Sequence, residues 1–286
     1  MISFDVYAGL GNQLFMIFCT IALALQNNST FGFKNKKILA PAGEYTRHTY
    51  YDTLLSSLKP YLYDILPPSI LIFESSQEFM NIVINPLYNY QLYGYFQSYK
   101  YFINESDIIY KLLNITYLKN NVLIKNIIPF NYQYTVSLHF RIGDYIHYSH
   151  VYPILPINYY KNALTFLSNK IKHKLFILYF CEDADLDVVL KHINKLSLDF
   201  PEFQFKRCNH ELHDWEQLLL MSCCYHNIIA NSTFSWWGGM FNTNENKMVL
   251  YPSTWFSPTA THCFSQEPIH NKTYDMFPLN WIKINY

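Results

Sequence analysis

Val136-Ser137-Leu138-His139-Phe140-Arg141-Ile142-Gly143-Asp144-Tyr145 reads as a strand that runs into a tight turn. Val136, Leu138 and Phe140 alternate with Ser137 and His139, the period of a strand with one buried face. His139, Arg141 and Asp144 are thereby delivered to the strand's carboxyl end, with Gly143 in the turn. Open α/β sheets bind ligands just beyond that end. An arginine there can grip a phosphate with a forked pair of charge-assisted hydrogen bonds. The competing reading is a structural ion pair between Arg141 and Asp144.

The segments around this stretch decide the fold class. Strand-like runs recur at 135–140, 174–181, 202–207, 226–230 and 247–251. Helical patterns lie between them at 158–171, 184–196 and 214–224, the last with Asp214 as its expected N-cap. Strands alternating with helices predict a parallel sheet with right-handed crossovers. Upstream, Ile2 to Val6 reads as a strand, Ala8 to Gln13 as a glycine loop, and Leu14 to Leu25 as a buried helix. The Gly9-x-Gly11 pattern lacks the third glycine of a dinucleotide fingerprint. Residues 31 to 130 are rich in tyrosine and punctuated by Pro60, Pro67-Pro68 and Pro86, as in a mixed α/β lobe with long surface segments.

Composition narrows the function classes. The chain has 286 residues, enough for two lobes, and its 50% hydrophobic content is globular rather than disordered. Its 21 basic residues balance 21 acidic ones, so no global field favours nucleic acid or an anionic membrane and any anion site must be local. The six cysteines, at 19, 181, 208, 223, 224 and 263, form no C-x-x-C pair and read as reduced, buried thiols. Sequons such as those at Asn104 and Asn114 carry little weight in so asparagine-rich a chain. The apolar run Leu14 to Leu25 is too short to span a bilayer and no basic residue precedes it. The expectation is a cytoplasmic protein without a membrane span.

Two further stretches join the central one. Ala8-Gly9-Leu10-Gly11-Asn12-Gln13-Leu14-Phe15 follows the first strand, and Asn231-Ser232-Thr233-Phe234-Ser235-Trp236-Trp237-Gly238-Gly239 follows the run His226 to Ala230. With the central motif these resemble the signatures of the α-1,2-fucosyltransferases, glycosyltransferase family eleven. The resemblance extends to Gly94-Tyr95-Phe96-Gln97-Ser98, Asn158-Tyr159-Tyr160-Lys161, Leu220-Met221-Ser222 and Trp255-Phe256, in the family's order. It implies a GT-B-like α/β fold of two Rossmann-like lobes with parallel sheets. The expected division is 1–130, with the glycine loop and the acceptor side, and 131–286, which binds the nucleotide sugar and whose last helix packs back on the first lobe. It further implies an inverting transfer of L-fucose from GDP-fucose to the 2-hydroxyl of a terminal galactose-like acceptor. The alternatives are another nucleotide-sugar donor on the same fold, or a non-catalytic glycan-binding protein.

Such a transfer expels a diphosphate, and fixed donors or a metal ion must meet the charge that builds on it. Arg141 is the strongest fixed candidate, and Ser232, Thr233 and the N–H groups beyond residue 230 complete an expected cradle with Asn231 and Phe234. Gly9, Gly11, Asn12, Gln13, Gly143 and His139 are the other expected donor contacts. Asn12 and Gln13 could instead satisfy their own turn, and His139 could be a base or simply fill the strand end. Asp144 is the nearest candidate base, although bracing Arg141 is its preferred role. Asp183-x-Asp185 is compatible with a divalent cation, but carboxylates at a helix start favour the macrodipole without one. By analogy with related GDP-sugar transferases, Asp183 is assigned to guanine, with Glu182 next, and neither a metal nor another cofactor is expected. Trp236 and Trp237 suit either sugar stacking or core packing. The sequence departs from the family at Ile142, usually a second arginine, at Ala8, usually glycine, and at Met16, usually glutamine.

Overall fold

The computed structural model describes residues 1–39, 46–126 and 134–286. The chain forms two compact units, one from Met1–Leu118 with Thr261–Pro278, the other from Lys119–Ala260 with Leu279–Tyr286. The expected lobe boundary at 130/131 lies outside the described residues. Residues 261–278 return to the first unit as turns and an isolated bridge, and among the described residues no helix follows Met240.

The first unit holds β1 (Ile2–Phe4), α1 (Leu10–Gln26), β2 (Phe31–Lys34), β3 (Leu62–Tyr63), β4 (Ile70–Phe73) and β5 (Tyr90–Tyr93), followed by α2 (Ser106–Leu112) and the start of α3 (Ile115–Lys125). Its strands form a five-stranded sheet, order β3-β2-β1-β5-β4, and every pairing is parallel. Parallel strands are covered on both faces, which is why β1 is buried throughout. The run Leu14–Leu25 lies within α1, a helix apolar on nearly every side and buried in this unit. No described helix is long and apolar enough to cross a membrane.

The second unit holds β6 (Thr135–His139), α4 (Ile157–Lys170), β7 (Phe176–Phe180), α5 (Leu186–Asp199), β8 (Gln204–Arg207), α6 (Asp214–Cys223), β9 (His226–Ile228), α7 (Thr233–Met240), β10 (Val249–Pro252) and β11 (Ile282–Ile284). These strands form a six-stranded parallel sheet, order β11-β10-β9-β6-β7-β8. Two parallel α/β sheets, one per unit, are what the family resemblance implies.

In the second sheet, alternation sorts the faces. Val136, Leu138, Ile177 and Ile228 meet Tyr159, Leu164 and Leu167 of α4 and Val189, Ile193 and Leu196 of α5 in one core. The opposite face carries Ser137 and Asn227, whose side-chain N–H₂ donates to Ser137 Oγ at 2.7 Å and to Met221 O of α6 at 2.9 Å. The helices therefore cover both faces. Ile142 is buried in the same core, so this chain uses the family's second arginine position for packing. Burying such a side chain contributes about 1.5–3 kcal/mol.

Local details adjust the expectations. The N-cap of α6 is His213, not Asp214, because the Glu216 carboxylate accepts from the His213 N–H at 3.1 Å and so fixes the start one residue earlier. The cysteines are all free; Cys263 is exposed and Cys181 partly so, whereas the other four are buried. Trp236 and Trp237 are fully buried, packing against Trp281 and Phe241 at ring separations of 5.3 and 5.1 Å, so they serve the core. The neighbouring Gly238 lets α7 approach α6, since a Cβ there would meet Met221 Cβ at 2.9 Å.

Candidate functional site

Strand order dictates where the second unit can hold a ligand. From β6 the chain winds through β7 to β8 on one side, then crosses to β9, β10 and β11 on the other. The strand order therefore reverses between β6 and β9. Ligands of open α/β sheets bind at this switch point, in the crevice beyond the strands' carboxyl ends. Residues 139–146 leave β6 there, and residues 229–233 leave β9 and open α7.

Arg141 stands at the mouth of this crevice. One guanidinium nitrogen, Nη1, donates to Glu182, and the other, Nη2, to Asp144. The guanidinium carbon lies 4.9 Å from the centre of the Tyr145 ring, a cation–π distance. Burial works against its charge, but Tyr145, Glu182 and Asp144 outweigh that and raise its affinity for the proton. Tyr145 in turn stacks on Tyr152 at 4.7 Å and donates to the Asn231 carbonyl at 3.0 Å. Tyr145 thus ties the end of β6 to the turn that leads into α7. Tyr145 lies in the quoted stretch, yet nothing in the sequence assigns it this role.

The turn after β6 is built around Gly143, whose φ of +32° is left-handed and whose N–H donates to Asp185 Oδ2 at 2.9 Å. A Cβ on Gly143 would stand 3.1 Å from Glu182 Oε2, so the glycine makes room for that carboxylate. Asp183 pairs with Arg207 at the end of β8 and is 71% exposed. The two carboxylates of the Asp-x-Asp run are therefore engaged separately, one with a guanidinium and one with a backbone N–H. Among the described residues no group of three or more His, Cys, Asp or Glu is arranged to hold a metal ion.

Across the switch point, Asn231 donates to Pro153 O at 2.8 Å and to Trp255 O at 3.2 Å, while its buried Oδ1 has no hydrogen-bond partner among the described residues. Ser232 is the N-cap of α7, and Thr233 and Phe234 form that helix's first turn, where backbone N–H groups carry partial positive charge. At the other end of α7, Lys119 Nζ donates to Phe241 O at 2.7 Å and Lys247 Nζ to Gly239 O at 3.1 Å. These partly buried cations complement the carbonyl end of the helix. His139 is buried beside Phe234 at a ring separation of 5.6 Å, and its Nδ1 has no hydrogen-bond partner among the described residues. Burial, and secondarily Arg141, push its pKa down to about 3. The ring is neutral at pH 7 and a weak base.

The other expected donor contacts lie on the first unit, whose strand order also reverses, between β1 and β5. Gly9 is the N-cap of α1, and Gly11 lies in its first turn. Gln13 is fully buried and donates to Ala8 O of its own turn and to His48 O of a distant segment, both at 2.9 Å. Asn12 Oδ1 accepts from Gln97 Nε2 at 2.9 Å, linking the glycine loop to the Gly94–Ser98 motif. Ala8 holds φ at +63°, a left-handed conformation that suits the glycine usual there.

The family model described as Glycosyl transferase family 11 matches residues 8–285. The chain belongs to this family. Among its relatives, the O-antigen biosynthesis glycosyltransferase WbnK of Escherichia coli is 33% identical over 178 residues, or 59% of this chain; the chain spans 56% of that relative's length. The Alpha-1,2-colitosyltransferase of Escherichia coli is 24% identical over 217 residues, covering 74% of this chain and 68% of that protein. Among solved structures, a mutant of Arabidopsis thaliana FUT1 in complex with GDP is similar at a TM-score of 0.47 and 11% identity, over 93% of this chain and 74% of that one. Escherichia coli ADP-heptose lps heptosyltransferase II is similar at a TM-score of 0.45 and 9% identity, over 99% of this chain and 89% of that one. In this family 11 chain, Glu182, Asp185 and Arg207 join the motif residues around β6. Glu182 and Asp185 belong to the acidic run after β7 that the sequence singles out, whereas Arg207 has no motif and is placed by the β7–β8 register.

Proposed function

We propose that the protein is a metal-independent glycosyltransferase that moves a 6-deoxy sugar, L-fucose in the first reading, from GDP to a hydroxyl of a galactose-like acceptor. The observation that carries this reading is the position of Arg141 at the switch point of the second sheet, tied through Tyr145 to the N-terminal turn of α7. A diphosphate bound there would meet the guanidinium from one side and the first N–H groups of α7 from the other. As the sugar departs, negative charge grows on the β-phosphate, and both sets of donors strengthen their hold. Asp144 keeps the guanidinium oriented. His139, neutral at pH 7, offers a hydrogen bond from its imidazole rather than a charge. An inverting displacement also needs a base for the acceptor hydroxyl.

A second donor has specific support, since a relative covered over 68% of its length is named for colitosyl transfer. Incubating the purified protein with GDP-activated sugars, fucose and colitose among them, and with galactose-terminated acceptors tests both. Release of GDP with one donor and formation of a glycosidic product is the expected result. No turnover of any GDP-sugar, with binding of glycans alone, would replace the reading with that of a lectin.

A further inference from the structure

Each terminal nitrogen of the Arg141 fork already holds a carboxylate before any ligand arrives. Glu182 holds Nη1, Asp144 holds Nη2, and the Tyr145 ring covers the guanidinium. The two carboxylates differ in what holds them. Asp144 is three residues away in the same turn and its side chain is 18% exposed, whereas Glu182 comes from the end of β7 and is 50% exposed. Gly143 leaves the space that Glu182 uses. The titratable neighbourhood adds Asp185 on the Gly143 N–H and the Asp183–Arg207 pair. Counted at neutral pH, two guanidinium groups face four carboxylates, so the unliganded crevice is unsuited to a polyanion while Glu182 remains on Arg141.

We infer that Glu182 is a specificity-determining residue of this site: an internal counter-ion that a diphosphate must displace from Arg141 Nη1. The inference rests on the donor reading above. Displacement leaves Asp144 in place to orient the guanidinium and opens the more exposed half of the fork to a phosphate oxygen. Ligands with strong, concentrated negative charge can make this exchange, and neutral ligands do not face it. Glu182 therefore lowers diphosphate affinity while keeping the arginine neutralised and correctly placed between turnovers.

The test is calorimetric binding of GDP, inorganic pyrophosphate and guanosine to the wild-type protein and to Glu182→Gln. An exposed ion pair of this kind changes affinity by about two- to fivefold. The expected result is that Glu182→Gln binds GDP and pyrophosphate at least twofold more tightly, a gain that shrinks as salt screens the pair, while guanosine binding is unchanged. Glu182→Asp, a carboxylate one methylene shorter, is expected to show the same trend and serves if the glutamine variant does not fold. Unchanged or weaker pyrophosphate binding in the variants, with GDP binding intact in the wild type, would overturn the inference alone. Weaker guanosine binding would also overturn it, by making Glu182 a reader of the base. Absence of GDP binding from wild type and variants alike would overturn the donor reading itself.

Discussion

Replacing Arg141 separates a catalytic role from a structural one, and the geometry fixes what each predicts. Arg141→Ala removes the guanidinium from Glu182, Asp144 and the Tyr145 face. Glu182 is half-exposed and regains water, so its share of the stability loss is small, about 0–1 kcal/mol. Asp144 is mostly buried and loses this ion pair, which adds about 1–3 kcal/mol. At about 2–4 °C per kcal/mol for a protein of this size class, Tm falls by roughly 2–16 °C. If Arg141 also meets charge developing on the β-phosphate, its loss removes about 2.7–4 kcal/mol of transition-state stabilisation, a drop of roughly a hundred- to a thousandfold. That drop appears in kcat and kcat/KM together. Arg141→Lys keeps one charge but not the fork, and is expected to stay far below wild type. The assay is donor turnover well below the measured Tm, with melting of each variant in parallel. A folded Arg141→Ala protein that keeps more than about a tenth of wild-type kcat, a loss under ~1.4 kcal/mol, would refute the reasoning and leave only an ion pair.

Three further outcomes are expected. Turnover persists in excess EDTA, since Asp183 and Asp185 are engaged with Arg207 and Gly143; complete loss restored by Mn²⁺ would contradict the metal-independent reading. Acid destabilises the fold between pH 6.5 and 4: burial, with Arg141 adding to it for His139, depresses the pKa of His139 to about 3 and of His226 to about 4, so below pH 6.5 the unfolded chain takes up protons that the folded one does not, and stability present above that pH is lost at up to ~2.7 kcal/mol per pH unit. Urea midpoints at pH 7.5 and 5 measure this, and His226→Asn, which can still accept from the Met248 N–H, should flatten the slope; an unchanged slope would deny His226 any part. Ala8→Gly relieves a left-handed alanine that costs about 1–2 kcal/mol and gives back ~0.4–1 kcal/mol in the unfolded chain, so Tm rises slightly, and a fall would show that φ at position 8 is not a source of strain.

The strands around β6 were legible because each is an apolar run bounded by helical pattern, and only their ends shift. Thr135–His139 falls inside the expected 135–140, and Phe176–Phe180 inside 174–181. Leu14 to Leu25 was legible as a buried helix because it is apolar on nearly every side, but its first turn begins at Leu10, inside the glycine loop. The partners of Arg141 were half legible. Asp144 lies in the same turn, whereas Glu182 is 41 residues away and reaches Arg141 only because His139 pairs with Phe180 in the sheet, which sets the following residues side by side. No single-strand pattern encodes that register. A return to the first lobe was expected of a last helix; residues 261–278 make it as turns instead, held by long-range contacts such as Ser98 Oγ donating to Asp275 O at 2.6 Å. The role of Gln13 was left open by its residue type, because an amide at a helix start serves a ligand and its own turn equally well; in the fold its Nε2 donates to Ala8 O and His48 O.

The central claim is that the switch point of the second sheet is a guanine-nucleotide diphosphate site centred on Arg141. Thermal unfolding of the wild-type protein and Arg141→Ala with GDP, UDP and CMP tests it most directly, because a ligand at a hundred times its Kd stabilises the native state by ~2.7 kcal/mol. The account predicts a clear rise in Tm with GDP, little with UDP or CMP, and loss of the GDP response in Arg141→Ala. An equal response to all three nucleotides, no response to any, or a GDP response that survives the loss of Arg141 would contradict it.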